Sequence, residues 1–127
     1  MTDDETRGME IRRAVMGDDY VNHALARVDE FTAPFQDFIT RYAWGEVWAR
    51  PGLDRRTRSC ITVALLCALR SHDELALHIR AALRNGVTAD ELREVLLHTA
   101  VYAGVPAANS AFAFAQEIPA EASEDDA

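Results

Sequence analysis

Apolar residues recur along this chain at intervals of three and four positions, which is the spacing of amphipathic helices. The strict alternation of a half-buried strand is nearly absent. The clearest apolar stripe combines Leu92, Val95, Leu96, Thr99, Ala100 and Ala103. We therefore predict an all-α fold, with about six to seven helices in a single domain over residues 1–117.

Short capping motifs mark where several of these helices begin. A Ser or Thr followed three residues later by Glu can cover the first free amides of a helix, and such pairs start at Thr2, Ser71 and Thr88. Residues 45–54 show no helical period, and we predict a loop there. The pattern predicts helices over 3–16, 20–28, 32–44, 55–70, 72–85, 89–103 and 106–116.

The fourth predicted helix is apolar on every side between Cys60 and Leu69. Such a helix must be covered all round, and a chain of 127 residues has few helices to do so, which predicts a homo-oligomer. Its two cysteines, Cys60 and Cys67, are two turns apart, about 10 Å along the axis. Because this separation is too long for a disulfide, we predict two buried structural thiols.

Charge and composition narrow the classes of partner. The net charge is −8, so a nucleic acid or an anionic membrane is not an expected partner. The first residues are acidic where a secretory signal is basic, and the longest apolar run is about half of the ~20 residues that span a bilayer. We expect a cytoplasmic protein, with an acidic, disordered tail at residues 118–127.

Residues 44–58 hold the first group of residues suited to chemistry. Trp44 and Trp48 flank Glu46, and four of the thirteen basic residues, all of which are arginine, lie between positions 50 and 58. Grouped guanidinium groups suit a carboxylated ligand, because each can bind a carboxylate through two hydrogen bonds. The alternative is a packed corner with buried tryptophans and solvated arginines.

Two further segments are candidates. His78 is one helical turn from Glu74 and has Leu75 and Ile79 beside it, so it is either a satisfied core histidine or a catalytic group. Residues 101–109 join two helices and contain Tyr102 and Asn109. That segment either forms a tight turn between the two helices or lies in close contact with a ligand.

Three motifs that occur in this order along the chain resemble those of a known protein family. They are Trp-Gly-Glu-Val-Trp-x-Arg-Pro-Gly-Leu-x-Arg-Arg-x-Arg-Ser at 44–59, Glu-Leu-x-x-His at 74–78 and Tyr-x-Gly-Val-Pro-Ala-Ala-Asn at 102–109. Together they resemble the γ-carboxymuconolactone decarboxylases of aromatic catabolism, over about residues 7–117. This family belongs to the alkylhydroperoxidase-D-like superfamily, which implies an all-α fold and assembly as trimers or hexamers.

The resemblance implies decarboxylation of 4-carboxymuconolactone, a small anionic lactone, to 3-oxoadipate enol-lactone in the protocatechuate branch of the β-ketoadipate pathway. No cofactor or metal is implied, because the substrate supplies its own electron sink. His78 or Glu46 then manages the proton, with the Glu46 pKa raised by the two indoles, and Arg58 binds a carboxylate. Supporting contacts to the substrate are expected from Trp44, Trp48, Arg50, Arg55, Tyr102 and Asn109.

Two other classes of function remain as alternatives. The peroxidase branch of the superfamily carries Cys-x-x-Cys-x-x-x-His where this chain has Ser71, Glu74 and His78, so a redox role would have to be independent of thiols or depend on a partner. A non-catalytic oligomeric binding module on the same scaffold is the other alternative.

Overall fold

The computed structural model describes residues 2–118, and within them it contains α-helices, one π-helix and no strand. The predicted all-α fold is confirmed. None of the helices in this range has the length and apolarity to cross a membrane. The predicted tail lies outside the described residues from position 119 onward. The seven α-helices are α1 (Asp3–Met16), α2 (Asp18–Ala26), α3 (Ala33–Ile39), α4 (Arg55–Ala68), α5 (His72–Arg84), α6 (Ala89–Ala103) and α7 (Val105–Glu117).

The chain divides after Asp54 into two compact units, an N-terminal unit and a C-terminal unit. In the N-terminal unit, α1 begins at the predicted capping box. The Thr2 hydroxyl accepts a hydrogen bond from the Glu5 amide at 3.1 Å, and the Glu5 carboxylate accepts one from the Thr2 amide at 3.1 Å. Helix α1 ends at Gly17, whose φ of 90° favours glycine.

Helix α3 continues directly into a π-helix at Thr40–Trp48, and the loop predicted from residue 45 is therefore wrong up to residue 48. Gly45 was interpreted as a helix end, but its absent side chain instead permits close packing with α1. A methyl group on Gly45 would overlap the Asp4 carbonyl oxygen, and one on Gly8 would overlap the Thr40 carbonyl oxygen. The two glycines thus let the backbones of α1 and the π-helix touch.

The core of the C-terminal unit lies among α4, α5, α6 and α7. One side of α4 contributes Val63 and Cys67 to this core, whereas Ile61, Leu65 and Leu69 on another side are exposed. The helix is therefore covered on one side only. The remaining fully buried members of the core are Leu75, Ile79, Ala82, Val87, Leu92, Leu96 and Ala111.

Two expectations about the C-terminal unit are settled by side-chain contacts. Thr88 forms the predicted capping box with Glu91, but Ser71 makes no side-chain cap for α5, because its backbone has the non-extended ψ of 77°. Cys67 is 1% exposed and its thiol donates to the Ala107 carbonyl oxygen at 3.7 Å, whereas Cys60 is half-buried. Both thiols are free, and only Cys67 is fully buried as predicted.

The contact between α1 and the π-helix yields a stability prediction. Gly8→Ala should lower the free energy of unfolding by about 3 kcal/mol or more, because the added methyl group meets backbone that cannot turn aside. Gly52→Ala is the matched control, since no atom lies within 4 Å of its added methyl group. Urea denaturation of both variants measures the difference, and equal stability of the two variants would contradict the packing described.

Candidate functional site

The π-helix places Trp44 and Trp48 one turn apart, and their rings stack on each other with centroids 5.2 Å apart and planes tilted by 32°. Trp44 is buried and Trp48 is half-buried. Glu46 is exposed and lies between them in the chain, so its side chain leaves the helix on roughly the opposite side. The indoles therefore shield each other rather than the Glu46 carboxylate.

Contacts with α1 hold this segment in place. The Arg7 Nε donates to the Gly45 carbonyl oxygen at 2.9 Å, and the Arg7 guanidinium also pairs with Asp4. Arg41 on the π-helix lies 3.7 Å from the Glu5 carboxylate. These contacts lie at Arg41 and Gly45, so the segment that carries Trp44 and Glu46 is a helix held against α1 rather than a loop. Arg50 follows the π-helix and is exposed.

Arg55 and Arg58 lie in the first turn of α4, three residues apart and on one face of the helix. Arg58 is half-buried and Arg55 is exposed. Arg56 has a different role, because it pairs with Glu91 of α6. Of the arginines grouped in this part of the sequence, Arg55 and Arg58 thus share a face on which a carboxylate could bind, and Arg56 joins two helices.

A polar contact in the core sets the register between α4 and α5. The Asn85 amide donates to the buried Ser59 hydroxyl at 3.3 Å and to the Ala81 carbonyl oxygen at 2.8 Å. This contact ties the start of α4 to the end of α5, so the two helices are antiparallel. His78 lies seven residues before Asn85, which is about 10 Å along the axis. The hairpin therefore places Arg58 and His78 on adjacent helices, about 10 Å apart along the helix axis.

His78 itself is half-buried on α5, and burial lowers the pKa of its imidazole below the usual value of 6.5. At neutral pH the ring is therefore uncharged, with one N–H donor and one lone pair. Glu74, one turn earlier on α5, is exposed to solvent. A neutral imidazole can donate a hydrogen bond to a developing oxyanion or accept a proton from a neighbour, without carrying a charge into a half-buried position.

The last two predicted residues lie at the surface of the C-terminal unit. Tyr102 is 81% exposed, and its ring packs against His98 with centroids 5.3 Å apart. Asn109 on α7 is also exposed. Their contribution to a substrate site stays a prediction.

The pairing of Ser59 with Asn85 was not predicted from the sequence. The only sign of it there is a polar Ser beside the apolar run of α4, and a lone Ser does not indicate its partner. A cavity of about 330 Å³ between α5, α6 and α7 contains none of the predicted residues, being lined mainly by Ile79, Leu83, Leu92, Leu96 and Phe112. Among the described residues, no group of His, Cys, Asp and Glu is arranged to hold a metal ion.

Comparisons with known proteins agree with the motifs. The model of the carboxymuconolactone decarboxylase family matches residues 33–117. A 4-carboxymuconolactone decarboxylase of Acinetobacter baylyi is 52% identical over 112 residues, which are 88% of this chain and 84% of the relative. A nitrosuccinic acid decarboxylase of Metarhizium robertsii is 46% identical over 110 residues, which are 87% of this chain and 77% of the relative. Both relatives are named for the loss of CO2 from a small acid.

The burial of His78 gives a prediction for stability against pH. Its pKa is lower in the folded than in the unfolded chain, so the unfolded chain binds the proton first as the pH falls below about 6.5. Stability is therefore lost from about pH 7 downward, and His78→Gln should reduce this loss. Melting temperatures between pH 7.5 and 5.5 measure it, with His23→Gln, at an exposed position, as control. An identical pH dependence in wild type and His78→Gln would contradict the desolvation of His78.

Proposed function

We propose a reaction for this chain from the premise that it belongs to the carboxymuconolactone decarboxylase family. The reaction is the cofactor-free decarboxylation of 4-carboxymuconolactone to 3-oxoadipate enol-lactone and CO2, in the cytoplasmic catabolism of protocatechuate. The observation that carries the proposal is the similarity, over most of both chains, to a relative named for this activity. Release of CO2 from 4-carboxymuconolactone by the purified protein tests it.

The substrate makes the absence of a cofactor chemically reasonable. The bond between the saturated ring carbon and its carboxylate breaks, and CO2 leaves without the electron pair. That pair is delocalised through the ring alkene onto the lactone carbonyl oxygen. One proton then adds to the ring carbon next to the carbonyl, which leaves the double bond at the carbon that lost CO2. The protein has to bind carboxylates, stabilise the oxyanion and deliver one proton.

The residues divide among these tasks by their chemistry. Arg58, with Arg55 on the same face of α4, binds a carboxylate through its planar guanidinium. The neutral His78 donates its N–H to the lactone oxygen as negative charge develops there. The proton for the ring carbon comes from His78 or from Glu46. Arg58 thus offers a permanent positive charge to the substrate carboxylate, and His78 offers a neutral donor to the oxyanion that forms during the reaction.

A second candidate substrate follows from the other long match. The relative from Metarhizium robertsii is named for nitrosuccinic acid, in which a nitro group can accept the electron pair that CO2 leaves behind. The two relatives therefore share one chemical requirement, which is an electron sink conjugated to the carbon that loses CO2. Assays with both acids on the same preparation decide which one this chain prefers. Turnover of neither acid would favour the redox or binding alternatives.

We propose a homo-oligomer as the active form, and apolar side chains at the surface support it. Ile61 and Leu65 on α4 and Leu69, directly after its end, form one exposed stripe at intervals of four residues. Exposed apolar surface of this extent marks contact with another protein, and trimers and hexamers both remain open. Further exposed apolar side chains are Leu97, Val101 and Val105 in the C-terminal unit and Phe35, Phe38 and Tyr42 in the N-terminal unit.

Arg58→Lys tests the role of the planar guanidinium. The positive charge is kept, but a carboxylate loses one of two parallel hydrogen bonds, so kcat/KM should fall by about tenfold or more. Arg93→Lys is the matched control, because Arg93 is exposed and paired with Asp90 on the surface of α6. Unchanged kinetics in Arg58→Lys would transfer carboxylate binding to Arg50 or Arg55.

His78→Gln and Glu46→Gln test which residue delivers the proton to the ring carbon. Removing a positioned acid or base costs roughly 10²–10⁴-fold in kcat, and Gln keeps approximate size and hydrogen bonding. If the two residues act as a unit, the double variant should lose little beyond the worse single variant. Multiplied losses would show independent roles, and full activity in a folded His78→Gln would remove His78 from the mechanism.

Leu65→Glu tests the apolar stripe on α4. A carboxylate at the centre of a buried interface is costly to desolvate, so the variant should shift toward smaller species in light scattering at micromolar concentration. Leu65→Met keeps the apolar character and should assemble as wild type. Unchanged assembly in Leu65→Glu would move the interface to another face.

A further inference from the structure

Arg12 of α1 is a buried cation that the proposed reaction does not use. It is 4% exposed, and burial lowers its pKa, with Tyr20 opposing and Arg13 adding to this effect. One guanidinium nitrogen donates to the Gln36 Oε1 at 3.2 Å. Within residues 2–118, no carboxylate oxygen lies within 4 Å of the Arg12 guanidinium. The N-terminal unit therefore contains a buried positive charge whose hydrogen-bond acceptor is a neutral amide, an arrangement that favours a nearby anion.

The contact with Arg12 orients the Gln36 amide. Because Oε1 accepts from Arg12, the amide NH2 group at the other corner of the side chain is directed away from the cation. Gln36 also lines a pocket of about 240 Å³ between α2 and α3. Because the Gln36 Oε1 is already bonded to Arg12, the Gln36 NH2 group remains to donate a hydrogen bond. A ligand in the pocket that has a hydrogen-bond acceptor could bind to this group.

The same pocket contains a second donor, the guanidinium of Arg27, and among the described residues no carboxylate lies within 4 Å of it. The other lining residues are Ala24 and Val28, which are apolar, and Thr32. Within the described residues, the hydrogen-bond partners of the Thr32 hydroxyl all belong to Asp29. The hydroxyl accepts from the Asp29 amide, and the carbonyl oxygen and the carboxylate of Asp29 lie within range as acceptors. The pocket therefore combines two hydrogen-bond donors, one of them charged, with an apolar wall.

The carboxylate of Asp29, two residues after Arg27, is satisfied within its own turn. It accepts hydrogen bonds from the amides of Thr32 and Phe31 at 3.0 Å each, and these contacts lower its pKa. Asp29 is therefore held by its own turn and not by Arg27.

We propose that this pocket binds a small organic carboxylate. One oxygen accepts from Arg27 and the other from the Gln36 amide, the short carbon chain contacts Ala24 and Val28, and the buried charge of Arg12 lies behind Gln36. Inorganic phosphate has the charge but no apolar part to place against Ala24 and Val28, so it should bind more weakly. None of these residues takes part in the proposed decarboxylation, and the site is a second anion site on the protomer.

The test uses 3,3,3-trifluoropropionate as probe, because its fluorine signal reports binding to the full-length protein directly. Saturable binding in the millimolar range is expected. Arg27→Gln should weaken it about tenfold, because a charge-assisted hydrogen bond is lost. Gln36→Leu and Arg12→Met should also weaken it. Arg93→Gln is the control that should bind the probe as wild type does, and Arg58→Met measures any binding of the probe at the proposed catalytic site.

Each outcome decides the proposal. Absence of saturable binding overturns it, and so does a loss in Arg58→Met with none in Arg27→Gln, since the probe would then occupy the catalytic site. Displacement of the probe by phosphate at equal concentration overturns the assignment to an organic acid. Arg12→Met removes a buried charge and can alter folding, but Arg27 is exposed, so the binding measured in folded Arg27→Gln decides the matter in that case.

Discussion

Helix α4 carries more apolar surface than its neighbours in the C-terminal unit cover, and this constraint shapes the rest of that unit. One side, with Val63 and Cys67, packs against α5, α6 and α7. Another side exposes Leu65 at 56% together with Ile61 and Leu69. The first turn of the same helix presents Arg58. The helix that carries the proposed carboxylate-binding Arg58 thus also provides the surface proposed for assembly, so a change in the packing of α4 would affect both.

The state of His78 depends on the same packing. A half-buried imidazole without a close carboxylate is held neutral, because the charged form would lose its hydration. In the proposed decarboxylation, Arg58 would balance the negative charge that the substrate already carries. A neutral His78 would stabilise charge on the lactone oxygen only as that charge develops. An interaction of this kind lowers the barrier rather than tightening the binding of the substrate. Exposure of His78 to solvent would raise its pKa toward the usual 6.5 and increase the protonated fraction.

The success of sequence-based prediction varied with the kind of interaction involved. Helices α1 and α6 begin where predicted, because capping by Thr2 and Thr88 is local and depends on residues three positions apart. The π-helix was not predicted, because a glycine such as Gly45 can either end a helix or allow close packing within one. Its low helix propensity indicates an end, whereas its missing side chain permits a contact with α1, and that contact involves residues about forty positions away. Likewise, the spacing of Trp44, Glu46 and Trp48 indicated a shared site in a loop, but the helix stacks the indoles and turns Glu46 away.

The arginines show why the candidate site could be located by sequence but not resolved into roles. All thirteen basic residues have the same side chain, so composition cannot separate them. The fold separates some of them by ion pairing. Arg56 pairs with Glu91 and Arg13 pairs with Asp18, and each of these surface pairs contributes little to stability. Arg12, next to Arg13 in the chain, is buried against a neutral amide instead. Neighbours in sequence therefore differ in their electrostatic surroundings, and only the tertiary contacts distinguish one arginine from the next.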